Sequence, residues 1–243
     1  VKPGDPTAVR DLFEQIAPRY DQLNDLLSFG LHRLWKRQAV AFLQPRPGQR
    51  LLDLCCGTGD LALVLAAKVR PRGGVLGIDC AEAPLAVARQ RAAQQPWLPL
   101  EFQRGDALAT GLADGWADGA CLAYGLRNLA DPGAGLRELR RVLRGGGRAA
   151  VLDFNRPEAA TGALDAPWGG AATAAFQRQY LRRLVVPLAG AFGLPEHYAY
   201  LEASLDRFPS AREQVALAAK AGFSRARHRP LAAGLMGLLE LVV

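Results

Sequence analysis

Asp53 and Asp60 bracket a short turn, Asp53-Leu54-Cys55-Cys56-Gly57-Thr58-Gly59-Asp60, that reads as the end of a strand and the start of a helix. Gly57 and Gly59 let the backbone there approach a ligand with no Cβ in the way. A third acid, Asp79, ends the next strand run 20 residues beyond Gly59, where a carboxylate can take both hydroxyls of a ribose. A fourth, Asp106 in Gly105-Asp106-Ala107, is placed to meet an adenine amino group. A dinucleotide site would want three glycines and a pyrophosphate resting on the helix N-terminus. Here Cys55 stands at the first glycine position, and Asp60 opens the helix with a charge that repels pyrophosphate. The turn suits a cation instead. A sulfonium that also carries an ammonium meets the requirement, so S-adenosylmethionine (SAM) fits and NAD does not. On this reading Asp53 and Asp60 face the cationic methionine end. The plainer alternative is that these aspartates only cap helices.

The elements around this turn must hold it at a sheet edge. Residues 7–44 read as helical, with apolar stripes at Leu12, Phe13, Ile16 and Ala17 and again at Leu31, Leu34, Trp35, Ala39 and Phe42. Pro45-Arg46-Pro47-Gly48 then ends helix formation, so residues 1–47 are read as an N-terminal helical cap and 48–243 as the core. Strand runs follow at Leu51–Leu54, Val75–Asp79, Leu100–Gln103, Ala117–Tyr124 and Arg148–Phe154. Helical stretches lie between them at Asp60–Val69, Pro84–Gln94 and Pro132–Leu143, the last ended by Gly145-Gly146-Gly147. Such alternation forces parallel crossovers, which gives an α/β, doubly wound, mostly parallel sheet of Rossmann-like type. The stretch from about 155 to 200 breaks the pattern with a Gly/Ala-rich loop and a helix from Ala172 to about Val186, and is read as an inserted lid. A helix at Ser210–Ala221 and strands at Phe223–Arg229 and Leu235–Val242 complete the chain.

The composition of the 243 residues is globular, with half of them apolar and 22% charged. The 30 Lys+Arg against 23 Asp+Glu leave a formal charge of +7. Only four of the cations are lysines (Lys2, Lys36, Lys68 and Lys220), and the arginines are spread along the chain. A nucleic-acid reader concentrates its cations, so no nucleic-acid partner is expected; the spread arginines read first as a GC-rich genome writing Arg for Lys, and next as a weak preference for an anionic membrane surface. Cys55, Cys56, Cys80 and Cys121 lack the spacing of a zinc site, so no metal is expected, and their use as small hydrophobes suits a reducing compartment. No apolar tract reaches the ~18 to 20 residues of a span, and no basic-then-apolar leader precedes the first helix. A cytoplasmic, peripherally membrane-associated location is the expectation, and a homodimer is compatible with it.

Three stretches resemble the ubiquinone/menaquinone-biosynthesis C-methyltransferase family over nearly the whole chain. They are Tyr20-Asp21-Gln22-Leu23-Asn24-Asp25-Leu26-Leu27-Ser28-Phe29-Gly30-Leu31-His32-Arg33-Leu34-Trp35, Tyr124-Gly125-Leu126-Arg127-Asn128 and Arg141-Val142-Leu143-Arg144-Gly145-Gly146-Gly147. Leu23 stands where Met is usual and Gly145 where Pro is common. Tyr198-Ala199-Tyr200-Leu201, Ser204 to Pro209 and Gly234-Leu235-Met236-Gly237 resemble the cyanobacterial branch, which acts on 2-phytyl-1,4-naphthoquinone. The resemblance implies a class I SAM-dependent methyltransferase fold and SAM contacts at Thr58, Asp79, Asp106 and Ala107. It implies C-methylation of a prenylated naphthoquinol, with demethylmenaquinol or a ubiquinol precursor as alternatives.

A quinone ring is electron-poor, so the reduced quinol must be the acceptor, with its hydroxyl ionised to make the neighbouring carbon nucleophilic. A phenol-like pKa of about 10 leaves only ~0.1% ionised at pH 7. Arg127 with Asn128, just beyond the fourth strand, are the candidates to favour the anion by charge and hydrogen bond, and Tyr20 and Asp21 border the ring. His32 is a tempting base but reads more simply as structural. A tail of about 20 carbons stays in the bilayer, so peripheral membrane contact is expected; the helix around Phe176 to Val186, with Arg178, Arg182 and Arg183, is a candidate for it, and reads equally as an ordinary surface helix with a buried face. Three other readings stand beside this one. An NAD-dependent oxidoreductase is disfavoured by Cys55 and Asp60. An N-methyltransferase of nucleic acid or protein would carry Pro-Pro and an aromatic where Gly125-Leu126-Arg127-Asn128 stands. The third is a SAM-binding scaffold without catalysis.

Overall fold

Leu51-Leu52-Asp53-Leu54 is apolar on both faces but for one residue, which is the pattern of a strand covered on both sides. In the computed structural model, which describes residues 4–16, 25, 28, 30–156 and 195–243, it forms β1 (Arg50–Leu54) at the middle of the sheet. The other strands are β2 (Gly74–Asp79), β3 (Leu100–Arg104), β4 (Ala117–Ala123), β5 (Leu143–Phe154), β6 (Arg225–Leu231) and β7 (Met236–Val242). Their order is β3-β2-β1-β4-β5-β7-β6, with β7 antiparallel to both neighbours and every other pair parallel. The order reverses between β1 and β4, and a crevice opens beyond their carboxyl ends. The edge strand β6 carries Arg225, Arg227, His228, Arg229 and Pro230, residues that resist further strand pairing.

Helices cover both faces: α1 (Pro6–Ile16), α2 (Leu31–Leu43), α3 (Asp60–Val69), α4 (Glu82–Ala93), α5 (Pro132–Val142), α6 (Pro195–Arg207) and α7 (Ala211–Lys220). Alternate residues of β1 divide between two cores. Leu52 and Leu54 pack with Leu136 and Leu139 of α5 and Ala218 of α7, whereas Leu51 packs with Ala39 and Val40 of α2 and Leu61 and Leu65 of α3. Asp53 shares the parity of Leu51 and so faces the α2/α3 side. Asp131 caps α5 by accepting from the Ala134 N–H, and Ser210 with Glu213 forms a capping box on α7.

Among the described residues of the segment read as a cap, α2 packs on the sheet and brings Lys36 to the crevice, and α1 covers it. Glu14 of α1 accepts the N–H groups of Glu82 and Ala83, at 2.6 and 2.8 Å, so it caps α4 from outside that helix. Val9 and Leu12 pack against Tyr200 of α6. One boundary differs from expectation. Gly145-Gly146-Gly147 lies inside β5, which begins at Leu143 directly after α5. Gly146 has a φ of +76°, and the register against β4 jumps here from Ala117↔Leu143 to Gly119↔Arg148. The glycines make a bulge in the strand where the sequence suggests a helix stop. The expected loop from Pro157 and helix from Ala172 to Val186 lie outside the described residues. No helix among the described residues is long and apolar enough to cross a membrane.

Candidate active site

The crevice is a cavity of about 650 Å³ lined by the ends of β1, β2 and β4, the loop after β3, and α1. Its floor is the turn after β1. Cys55, Gly57 and Gly59 all have left-handed backbone, with φ of 57°, 53° and 82°. A Cβ on Gly59 would stand 2.7 Å from the Phe102 ring, so only glycine passes there, whereas Gly57 faces open space. Cys55 adopts this conformation without being glycine, and so does Tyr124 at the end of β4, with φ of 61°. Such backbone costs roughly 1 to 3 kcal/mol and gathers at functional sites. Arg91 of α4 ties the turn down, donating to Thr58 O and Asp60 Oδ1, each at 3.2 Å.

The carboxylates are not equivalent. Asp53 is buried, and its Oδ2 has no hydrogen-bond partner among the described residues. Burial raises its pKa to about 7, against the lowering effect of the Lys36 ammonium. Asp79 is held by two backbone donors, Gly57 N–H to Oδ2 at 2.8 Å and Ala81 N–H to Oδ1 at 3.0 Å, while burial pushes its carboxyl upward. Asp106 accepts from the Leu108 N–H at 2.8 Å and lines the cavity with Ala107. Asp60 also lines the cavity, but it is already claimed by the Lys36 ammonium at 3.0 Å and by Arg91. Burial would raise the Asp60 carboxyl, and the two cations outweigh it and hold it below the usual range. Asp60, expected at a ligand's positive end, is thus already paired with two protein cations.

Arg127 departs further from expectation. It does not line the cavity. It is buried, with Nη1 donating to Asp153 Oδ1 at 2.9 Å and to Tyr124 O at 3.1 Å, and Nε donating to Ser204 Oγ at 3.3 Å. Its own N–H donates to Asp153 Oδ2, and its guanidinium lies 5.3 Å from the Phe154 ring centroid. Its charge is spent inside the protein, and it pins the turn of Leu126–Asn128 to β5 and α6. Asn128 does reach the cavity, with Nδ2 donating to Tyr124 O at 2.9 Å and Oδ1 accepting from the Tyr200 hydroxyl at 2.8 Å. His32 is buried against Ser28 Oγ at 2.7 Å, and burial followed by the nearby Lys36 lowers its pKa, as suits a structural histidine. Tyr20 and Asp21 lie outside the described residues.

Gly57, Thr58, Asp53, Asp60, Asp79, Asp106, Ala107 and Asn128 thus meet at one cavity. Sequence reasoning missed Lys36, Glu14 and the α1 residues Thr7, Arg10 and Phe13 that wall its mouth. Lys36 did leave one signal, as one of few lysines in a chain that otherwise uses arginine.

The model of the ubiE/COQ5 methyltransferase family matches residues 2–239. The chain belongs to that family. A 2-phytyl-1,4-naphthoquinone methyltransferase of Synechococcus elongatus is 52% identical over 235 residues, covering 96% of each chain. A protein of the same name from Synechocystis is 47% identical, covering 96% of this chain and 93% of its own. A SAM-dependent methyltransferase structure from Aquifex aeolicus superposes with a TM-score of 0.59 at 19% identity over 98% of each chain, which establishes the shared fold. The methyltransferase therefore has the Rossmann-like class I architecture, and its cavity occupies the place where that sheet order opens.

Proposed function

We propose that this methyltransferase transfers the methyl group of SAM to a ring carbon of a prenylated naphthoquinol, reduced 2-phytyl-1,4-naphthoquinone, in the last step of phylloquinone formation. The observation that carries the donor assignment is the buried Asp53 oxygen, without a partner among the described residues, on a side chain that lines the cavity. A buried carboxylate in that state is costly unless a ligand's cation meets it. The relatives at 52% and 47% identity support the acceptor.

When bound, SAM supplies an electrophilic methyl on a sulfonium. The protein's part follows the order of its strands. Asp106 beyond β3 meets the adenine amino group, and Asp79 at the end of β2 presents its remaining lone pairs to the ribose hydroxyls. Thr58 and Gly57 let the chain lie close under the ligand, Gly59 turns the chain beneath them against Phe102, and Asp53 of β1 takes the methionine ammonium. Asn128 beyond β4 directs its second amide hydrogen to the acceptor oxygen, held in that orientation by Tyr200. Arg127 acts as a positioning residue that fixes the Asn128 turn. Val9, Phe13 and Leu129 give the cavity apolar walls that exclude water.

The lipid tail keeps the acceptor in a bilayer, so the enzyme works at a membrane surface. Leu31 and Leu34, 47% and 51% exposed beside exposed Arg33 and Arg37 on α2, support peripheral contact with anionic lipid. The test is mass spectrometry after incubation with methyl-labelled SAM and a panel of chemically reduced prenyl quinols. Label should appear on the ring carbon of the phytyl naphthoquinol. It should be absent with the oxidised quinone and much lower with benzoquinols. Equal labelling of the oxidised form, or transfer only to a non-quinol acceptor, contradicts the proposal.

A further inference from the structure

An amino-acid end brings two opposite charges into a cavity, and each needs a partner once water is removed. Asp53 answers the ammonium. For the carboxylate, the cations among the described lining residues are Arg10, Arg104 and Lys36. Arg104 Nε donates to Cys80 O at 3.2 Å, and Arg10 acts electrostatically on the Cys80 thiol, so both belong to the nucleoside end beyond Asp79. Lys36 reaches the other end from α2. Its ammonium lies 3.0 Å from Asp60 Oδ2 and 5.9 Å from the Tyr124 ring centroid, and it is the foremost charge acting on Asp53. Its side chain is 16% exposed, enclosed enough for the charge to be felt strongly.

We propose that Lys36 is the residue that binds the donor's α-carboxylate, with Asp60 and Arg91 as its tether. This rests on the SAM reading above. An ammonium carries three donors on a flexible stem, so Lys36 can keep its bond to Asp60 while it serves a ligand oxygen. Arg91 holds the other oxygen of Asp60, which keeps the anchor in place. The site then reads both charges of the amino acid, Asp53 one and Lys36 the other. A donor stripped of its carboxylate is discriminated against.

Calorimetric affinities of the full chain for S-adenosylhomocysteine and for its decarboxylated analogue separate the outcomes. The wild type should prefer S-adenosylhomocysteine by about ten- to hundredfold, the range of a charge-assisted hydrogen bond. Lys36→Met should lose that preference by weakening S-adenosylhomocysteine while binding the analogue within about twofold of the wild type, which also shows an intact fold. Lys36→Arg should restore most of it. A preference unchanged in Lys36→Met, or none in a wild type that binds both ligands, overturns the assignment to Lys36 alone. A wild type that binds neither ligand overturns the SAM reading with it.

Discussion

The two ends of the cavity are built on opposite plans. At the donor end, Asp53 is buried with an oxygen unpartnered among the described residues, and the turn after β1 holds left-handed backbone at Cys55, Gly57 and Gly59. At the end proposed for the acceptor, the Arg127 and Asn128 side chains that follow β4 are tied into the protein. Arg127 is committed to Asp153, Ser204 and Tyr124 O, and Asn128 spans Tyr124 O and Tyr200. On the proposed reading the Asp53 oxygen is where a ligand's cation completes the structure, whereas the bonds of Arg127 and Asn128 make a frame. The difference also shows why a charged residue in a motif can be a builder. Arg127 holds Asn128 in place from inside the protein, while the smaller, neutral Asn128 is the group that reaches the cavity.

The largest effect that would test this contrast is on stability. Arg127→Ala leaves Asp153 buried without its cation, which should cost about 3 to 5 kcal/mol and lower Tm by roughly 10 °C. Thermal unfolding followed by circular dichroism checks it. An unchanged Tm with lost turnover would mean that Arg127 is free to reach substrate, and the contrast would fail. Asp53→Asn should do the reverse, weakening SAM about ten- to hundredfold without loss of Tm. The sign with pH follows from the raised Asp53 pKa of about 7. Between roughly pH 4 and that value the folded state holds a proton that the unfolded chain has released, so this group's contribution makes stability fall as pH rises. Asp53→Asn should flatten that part of the curve, as pH-dependent denaturant titrations would record.

Smaller effects sharpen the picture. Tyr200→Phe keeps the packing on Val9 and Leu12 but removes the donor to Asn128, so kcat should fall about three- to tenfold with the KM for SAM little changed. A rise in that KM without loss of kcat would place Asn128 at the donor end instead. Glu14→Gln should be mildest. It weakens one of the two capping bonds that dock α1 on α4, and stopped-flow displacement should show SAM leaving about two- to fourfold faster. An unchanged off-rate would show that α1 does not gate the cavity.

Much of this was legible in the chain. The apolar runs at Leu51–Leu54 and Val75–Asp79 form strands, and α3 spans Asp60–Val69 as the periodicity suggests. The acids at strand ends were readable because a doubly wound sheet dictates where its ligands bind. Gly145 to Gly147 misled, since glycine both stops helices and permits bulges, and only pairing with β4 decides between them. Arg127, Lys36 and Glu14 were opaque for a shared reason. Their decisive partners, Asp153, Asp60 and the start of α4, come from distant parts of the chain and meet them only through packing. Local pattern gives the type of a side chain and not the direction in which it points.

The most direct test counts protons. S-adenosylhomocysteine is titrated into the enzyme at pH 6 in buffers of differing ionisation enthalpy. If the ligand's ammonium completes Asp53, the carboxyl must ionise on binding, and protons should be released as the ligand binds, because a group titrating near 7 is largely protonated at pH 6. Asp53→Asn should release almost none. Tight binding to the wild type with no proton released, or the same release from Asp53→Asn, would contradict the account.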